Sequence, residues 1–125
     1  MNKPEIIYHA NQRIFSINFE GLKTAEEFAM VIKLSKDYIR NQPKSSVVAL
    51  TNMQGMHFNK EVRDLIAEFI SGNKPYMKVS AAFGIGPLLR IVYNGVTKLT
   101  GRDVRAFDTK EQALNWLISR QEVLA

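Results

Sequence analysis

The sequence predicts an α/β fold: a single domain over residues 1–125, with a five-stranded mainly parallel sheet, an antiparallel edge strand and four helices, in the order ββαβαβαβα. Three observations predict it. Short runs rich in Ile, Phe, Tyr and Val alternate with longer stretches whose apolar residues recur at helical spacing. One of the short runs, Ser46 to Leu50, has no polar alternation, as expected of a central strand covered on both faces. Capping and breaking residues stand between the segments, and regular alternation after a hairpin implies right-handed crossovers.

Taken in order, Glu5 to Ala10 and Arg13 to Phe19 read as two strands joined at Asn11-Gln12. In the second, Phe15, Ile17 and Phe19 alternate with Ile14, Ser16 and Asn18, the period of a strand with one buried face. Thr24-Ala25-Glu26-Glu27 is a capping box, and it opens a helix from Ala25 to Asn41. Phe28, Val31, Ile32, Ser35, Tyr38 and Ile39 form its inner face, with Lys33, Lys36, Asp37 and Arg40 elsewhere on the wheel and Pro43 as the stop. After the central strand and a turn at Gly55, Asn59 caps a helix with the stripe Val62, Leu65, Ile66, Phe69 and Ile70. Gly72-Asn73 is expected to end it in a left-handed cap, and Pro75 bars continuation.

Met77 to Phe83 is the fourth strand and runs into Gly84-Ile85-Gly86-Pro87, where a proline suits the first turn of a helix. Leu88, Ile91, Val92, Gly95, Val96 and Leu99 would be that helix's apolar face, with Arg90, Asn94, Thr97 and Lys98 on its polar stripe. Gly101 closes it. Val104 to Phe107 is a fifth strand, and Asp108-Thr109-Lys110-Glu111 reads as a second capping box before a last helix through Arg120. Trp116 falls off the stripe of Leu114, Leu117 and Ile118, which suits packing beneath a loop or a partner surface.

Composition narrows the function. The chain has no cysteine, hence no disulfide framework, thiolate metal site or thiol nucleophile. His9 and His57 stand apart without a His-x-x-x-His pattern, so no metal or cofactor is implied. No serine-centred nucleophile elbow is present, and the reading is not an enzyme. Glu26, Glu27, Asp64 and Glu68 read as capping or solvation on exposed helix faces. No apolar run reaches the roughly 20 residues of a membrane span, and the first residues lack a signal peptide's apolar core, so a cytoplasmic protein is expected.

The formal charge is +5, and basic residues cluster from Lys33 to Lys44 and from Arg90 to Arg105. Without interleaved exposed aromatics or a nucleic-acid motif, this points to no nucleic-acid partner. In an open sheet, ligands sit where strand ends meet helix N-termini. That rule selects the loop from Thr51 to Lys60 and the Gly84-Ile85-Gly86-Pro87 turn. Asn59, Lys60, Gly84, Gly86 and Arg90 are therefore the candidate contact set for an anion or an acidic partner surface. The glycines match neither a P-loop nor a dinucleotide fingerprint, because Leu89 stands where the third glycine would be.

Several strings carry a resemblance over nearly the whole chain: Val47-Val48-Ala49-Leu50-Thr51-Asn52-Met53-Gln54-Gly55, Asn73-Lys74-Pro75-Tyr76 leading into Ala81-Ala82-Phe83-Gly84, Lys98-Leu99-Thr100-Gly101-Arg102, and the stretch from Phe107 to Leu117. In these and in element order the chain resembles the SpoIIAA-like, or STAS, superfamily and its bacterial relatives grouped with CRAL-TRIO lipid-binding domains. The resemblance implies a small sheet with helices and a binding role rather than an enzyme. In anti-sigma-factor antagonists of that superfamily, an Asp-Ser-Ser-Gly-like motif places a phosphorylatable serine at the start of a helix. The matching stretch here, Asn59-Lys60-Glu61-Val62, has no serine, and Glu61 supplies one negative charge where a phosphate carries up to about two. The expectation is a non-catalytic regulatory module with a protein partner; the alternative is a domain that binds a lipid or an anionic small molecule. The sequence alone sets no oligomeric state.

Overall fold

The computed structural model describes residues 2–86, Arg90, Asn94 and residues 104–124. The chain folds as strands β1 (Glu5–His9) and β2 (Gln12–Asn18), helix α1 (Ala25–Ile39), strand β3 (Val47–Asn52), and helix α2 (Lys60–Asn73). A single 3-10 turn, Lys74–Tyr76, leads into β4 (Met77–Phe83), and β5 (Val104–Phe107) and helix α3 (Lys110–Leu124) complete it. The strands lie in the sheet in sequence order, β1 antiparallel to β2 and the other neighbours parallel. This is the expected mixed sheet with β3 at its centre. The described residues hold three α-helices where four were expected. The fourth, expected from Pro87 to Leu99 with Gly95 on its inner face, lies outside them except for Arg90 and Asn94, which are both helical.

Because the parallel strands follow one another across the sheet, crossovers of one hand place their helices on the same face. Phe28, Val31, Ile32 and Ile39 of α1 and Val62, Ile66, Phe69 and Ile70 of α2 share a core with Phe15, Ile17, Val47, Ala49 and Ala82. On the other face Ala113, Leu114 and Leu117 of α3 pack on Ile14, Val48, Leu50, Val79, Ala81 and Phe83. Val47 through Leu50 are buried, which bears out the two-faced central strand.

Local details depart from expectation in informative ways. The hairpin turn is Ala10-Asn11, at φ +50° and +64°, one residue earlier than Asn11-Gln12. Both central residues of such a two-residue turn need positive φ, and Asn11 tolerates that region well. Gly72 is not a left-handed cap: it lies within α2, and Asn73 after it has φ −83°. A Cβ at Gly72 would strike the guanidinium of Arg40, so the glycine makes room for a side chain from α1. There Arg40 Nε donates to Oδ1 of the buried Asn73 at 3.1 Å, and Glu68 takes Lys36 at 2.6 Å and Arg40 at 3.7 Å. Glu68 is therefore a clamp between α1 and α2, not only a solvated acid. The second capping box is also shifted by one residue: Thr109 Oγ1 accepts from the Gln112 N–H, and the Gln112 side chain accepts from the Asp108 and Thr109 N–H groups.

Candidate functional site

The parallel strands end together, and their backbone ladder continues past the last strand residues. Phe19 donates to Asn52 at 2.8 Å, Met53 to Phe83 at 3.0 Å and Gly84 to Phe107 at 3.2 Å. Two asparagines bend the chain away from the sheet in the same manner. Asn18 Oδ1 accepts from the Glu20 N–H and Asn52 Oδ1 from the Gln54 N–H, both at 2.9 Å. Gly21 N–H then reaches the Gln54 carbonyl at 2.9 Å, joining the two loops.

The β3–α2 loop is anchored from below by Met53 and Met56, both buried, and by a bond of 2.8 Å from the His57 N–H to the Leu22 carbonyl. The His57 side chain is exposed. Asn59 accepts from the Val62 N–H at 2.9 Å, so its Oδ1 serves as the α2 cap, as the sequence indicates. Lys60 and Glu61 begin the helix and are exposed.

The second loop meets the first through one glycine. Gly84 has φ +83°, and a Cβ there would strike the Gln54 side chain and come within 2.9 Å of its backbone nitrogen. Both the dihedral and the space demand glycine. Gly86 is different: its φ is ordinary, a Cβ would meet nothing, and its carbonyl accepts from the Arg90 N–H at 2.9 Å. Arg90 reaches sideways to Asp108, Nη2 to Oδ1 at 3.0 Å, across the start of α3. The structure thus brings Gly84 against the β3–α2 loop. Among the described residues no hydrogen bond or ion pair joins Asn59 or Lys60 to Gly84, Gly86 or Arg90.

Residues outside the expected contact set form a polar groove of about 210 Å³ beside this rim, lined among others by Lys3, Glu5, Ser16, Asn52, Gln54 and Lys110. The signal for it was the polar half of the β2 alternation. Its side chains donate and accept hydrogen bonds and carry charge of both signs, from Lys3 and Lys110 and from Glu5. Among the described residues no three His, Asp or Glu side chains gather as a metal would need. Among the described residues, Glu27 and Glu68 are held below the ordinary carboxylate range, both through structural contacts. Glu27 is held down by the Lys23 and Thr24 N–H groups, and Glu68 by the hydrogen bond from Lys36. The apolar cavity between α2 and the sheet measures about 40 Å³, well below the roughly 300 Å³ at which ligand pockets begin. No described helix is long and apolar enough to cross a membrane.

The architecture has close counterparts among solved structures. An uncharacterised protein of the DUF3478 family with a SpoIIAA-like fold, from Shewanella loihica PV-4, superposes with a TM-score of 0.69 at 19% identity over 91% of each chain. An anti-sigma-factor antagonist (STAS) domain protein from Planctomyces limnophilus superposes with a TM-score of 0.54 at 15% identity, over 93% of this chain and 98% of that one. No protein-family pattern and no curated protein matches the sequence significantly. The fold is SpoIIAA-like, of the STAS type.

Proposed function

We propose that this chain is a non-catalytic, cytoplasmic regulatory module that works by binding another protein and that lacks the phosphorylatable serine of the anti-sigma-factor antagonists in the superfamily it resembles. The observation that carries the reading is the exposed, rigidly capped start of α2. Asn59 fixes the first turn and Met53 and Met56 pin the loop, while Lys60 and Glu61 stand in solvent where the resemblance puts the serine motif. The Planctomyces counterpart is described as an anti-sigma-factor antagonist domain, a role exercised through protein contact. A fixed backbone with exposed charges costs little ordering entropy on docking.

An acidic partner surface would meet Asn59, Lys60, Gly84, Gly86 and Arg90 at this rim. Lys60 supplies the less neutralised charge, because Arg90 is shared with Asp108. Affinity purification from host extract at low salt, repeated at rising ionic strength, tests the reading. A protein retained by the parent should be lost with Lys60→Glu, kept with Lys33→Glu and held more firmly with Asp108→Asn. Retention should fall beyond about 0.15 M salt, where screening sets in within roughly 8 Å. Retention that ignores Lys60 and salt overturns the proposed surface, and a retained small molecule without a protein overturns the module reading.

A further inference from the structure

Strand β1 forms one edge of the sheet, and among the described residues nothing pairs with its outer side. The β1–β2 hairpin closes through the two-residue turn Ala10-Asn11, and the His9–Gln12 pair that closes such a turn exchanges both of its backbone hydrogen bonds. Bonded pairs recur every second residue, so Ile7 and Glu5 also bond inward to β2. Ile6 and Tyr8 therefore point their N–H and C=O groups outward, which makes the edge a template for another strand.

We propose that this edge pairs with the same edge of a second copy, antiparallel, about a two-fold axis through Ile7. A two-fold centre at Ile6, Ile7 or Tyr8 keeps outward groups facing outward groups. A centre at Ile6 would set Pro4, which has no N–H, against Tyr8. A centre at Tyr8 would set Ala10, already in the turn at φ +50°, against Ile6. A centre at Ile7 pairs Ile6 of each copy with Tyr8 of the other, and every outward N–H and C=O of those residues finds a partner.

The side chains select the same register. Residues directly opposite in an antiparallel pair share a face. On the α3 face the Glu5 carboxylate would fall opposite the His9 imidazole of the second copy, an acceptor against an N–H donor, and Ile7 would meet Ile7. On the α1 face Tyr8 would fall on Ile6 of the second copy, beside Leu34, which lines the same groove as Ile6. Tyr8, Met30 and Leu34 are 71%, 59% and 43% exposed and are the large hydrophobic side chains most open to solvent among the described residues. Leu34 lines that edge groove, and Met30 lines the adjoining one with it. The strand Glu-Ile-Ile-Tyr-His is thus complementary to its own reverse, which an unrelated peptide would not need to be.

Sedimentation velocity on the full chain, from micromolar to submillimolar concentration, tests this. The parent should be a dimer that dissociates on dilution. Ile6→Pro removes an N–H that the protomer itself does not use. It should weaken dimerisation at least tenfold, while the thermal transition of the diluted, monomeric protein falls only by what the loss of the half-buried Ile6 side chain costs. Glu5→Lys should also weaken dimerisation, and Glu5→Lys with His9→Glu should restore the dimer. A second measurement does not depend on the proline variant folding. The chain has no cysteine, and a two-fold centre between strands sets the facing Cα atoms about 4.5 Å apart, within disulfide reach. Mild oxidation should therefore cross-link Ile7→Cys into a covalent dimer and leave Lys33→Cys monomeric. A parent that stays monomeric throughout, a dimer indifferent to the edge variants, or equal cross-linking of the two cysteine variants overturns the proposal.

Discussion

Among the described residues, α1 and α2 lie side by side on one face of the sheet and bury Phe15 and Ile17 of β2 and Phe19 beyond it, whereas on the other face α3 covers Ile14 and leaves Ser16 and Asn18 half-buried. Strand β3, under helices on both sides, has no alternation from Val47 to Leu50. A strand thus records the extent of its cover residue by residue: where one of its faces turns polar, the helix over that face has passed. The polar groove beside the candidate site is the uncovered remainder of the α3 face.

The largest effect should come from breaking the cover where it is complete. Val48 is buried beneath α3, so Val48→Asp places an unpaired charge in the core and should cost about 3 kcal/mol or more. Ser16→Asp, on the same face but in the open groove, where it faces Glu5 across the hairpin, should cost about 1 kcal/mol or less. Urea unfolding of both variants checks the contrast. Similar costs would mean that α3 does not divide the face as described.

Helices α1 and α2 are also tied to each other directly, through Arg40, Asn73 and Glu68, and this tie gives a smaller effect. Glycine inside a helix costs about 1 kcal/mol relative to alanine, so Gly72 is retained for the Arg40 guanidinium. Gly72→Ala should gain little in the parent, because the guanidinium must leave Asn73. In an Arg40→Ala background the same substitution should recover up to about 1 kcal/mol of helix propensity. A double-mutant cycle measures the difference, and additivity would show that the close approach is not energetic.

How much of this was legible follows from the range of each signal. The α1 stripe from Phe28 to Ile39, the Asn59 cap and the β4 and β5 boundaries were readable because each rests on residues within a turn or a strand of one another. The Arg90–Asp108 and Lys36–Glu68 pairs were not, since they join residues distant in sequence that only the sheet order brings together. Gly72 was misread for the same reason: glycine near a helix end has a local explanation, and the true cause sits on another helix. At the candidate site, Asn59 and Gly84 were found from local signals, whereas Asn18 was read only as a strand residue and Asn52 and Gln54 only as part of the Thr51–Lys60 loop, because their meeting depends on how the strand ends align.

The smallest effect separates the helices of the two faces by the chemistry of their caps. Helix α1 opens on Thr24 and Glu27, whose carboxylate accepts from the Lys23 and Thr24 N–H groups at 3.0 Å each. Helix α3 opens on Thr109 and Gln112, whose neutral amide plays the same part. Hydrogen bonds to the ionised form hold the Glu27 pKa below its ordinary value. A carboxyl whose pKa is depressed by folding contributes stability that is fully present above its unfolded value, near 4.3 for glutamate, and is lost as the pH falls through the folded value. The α1 cap should therefore weaken in acid while the α3 cap does not. Glu27→Gln should flatten the fall in urea midpoint below about pH 4.3, and Gln112→Glu should steepen it by giving α3 the same titrating cap. If Gln112→Glu leaves the acid limb unchanged while Glu27→Gln flattens it, the N–H groups at the start of α3 do not converge on their acceptor as those of α1 do, and the likeness between the two caps fails.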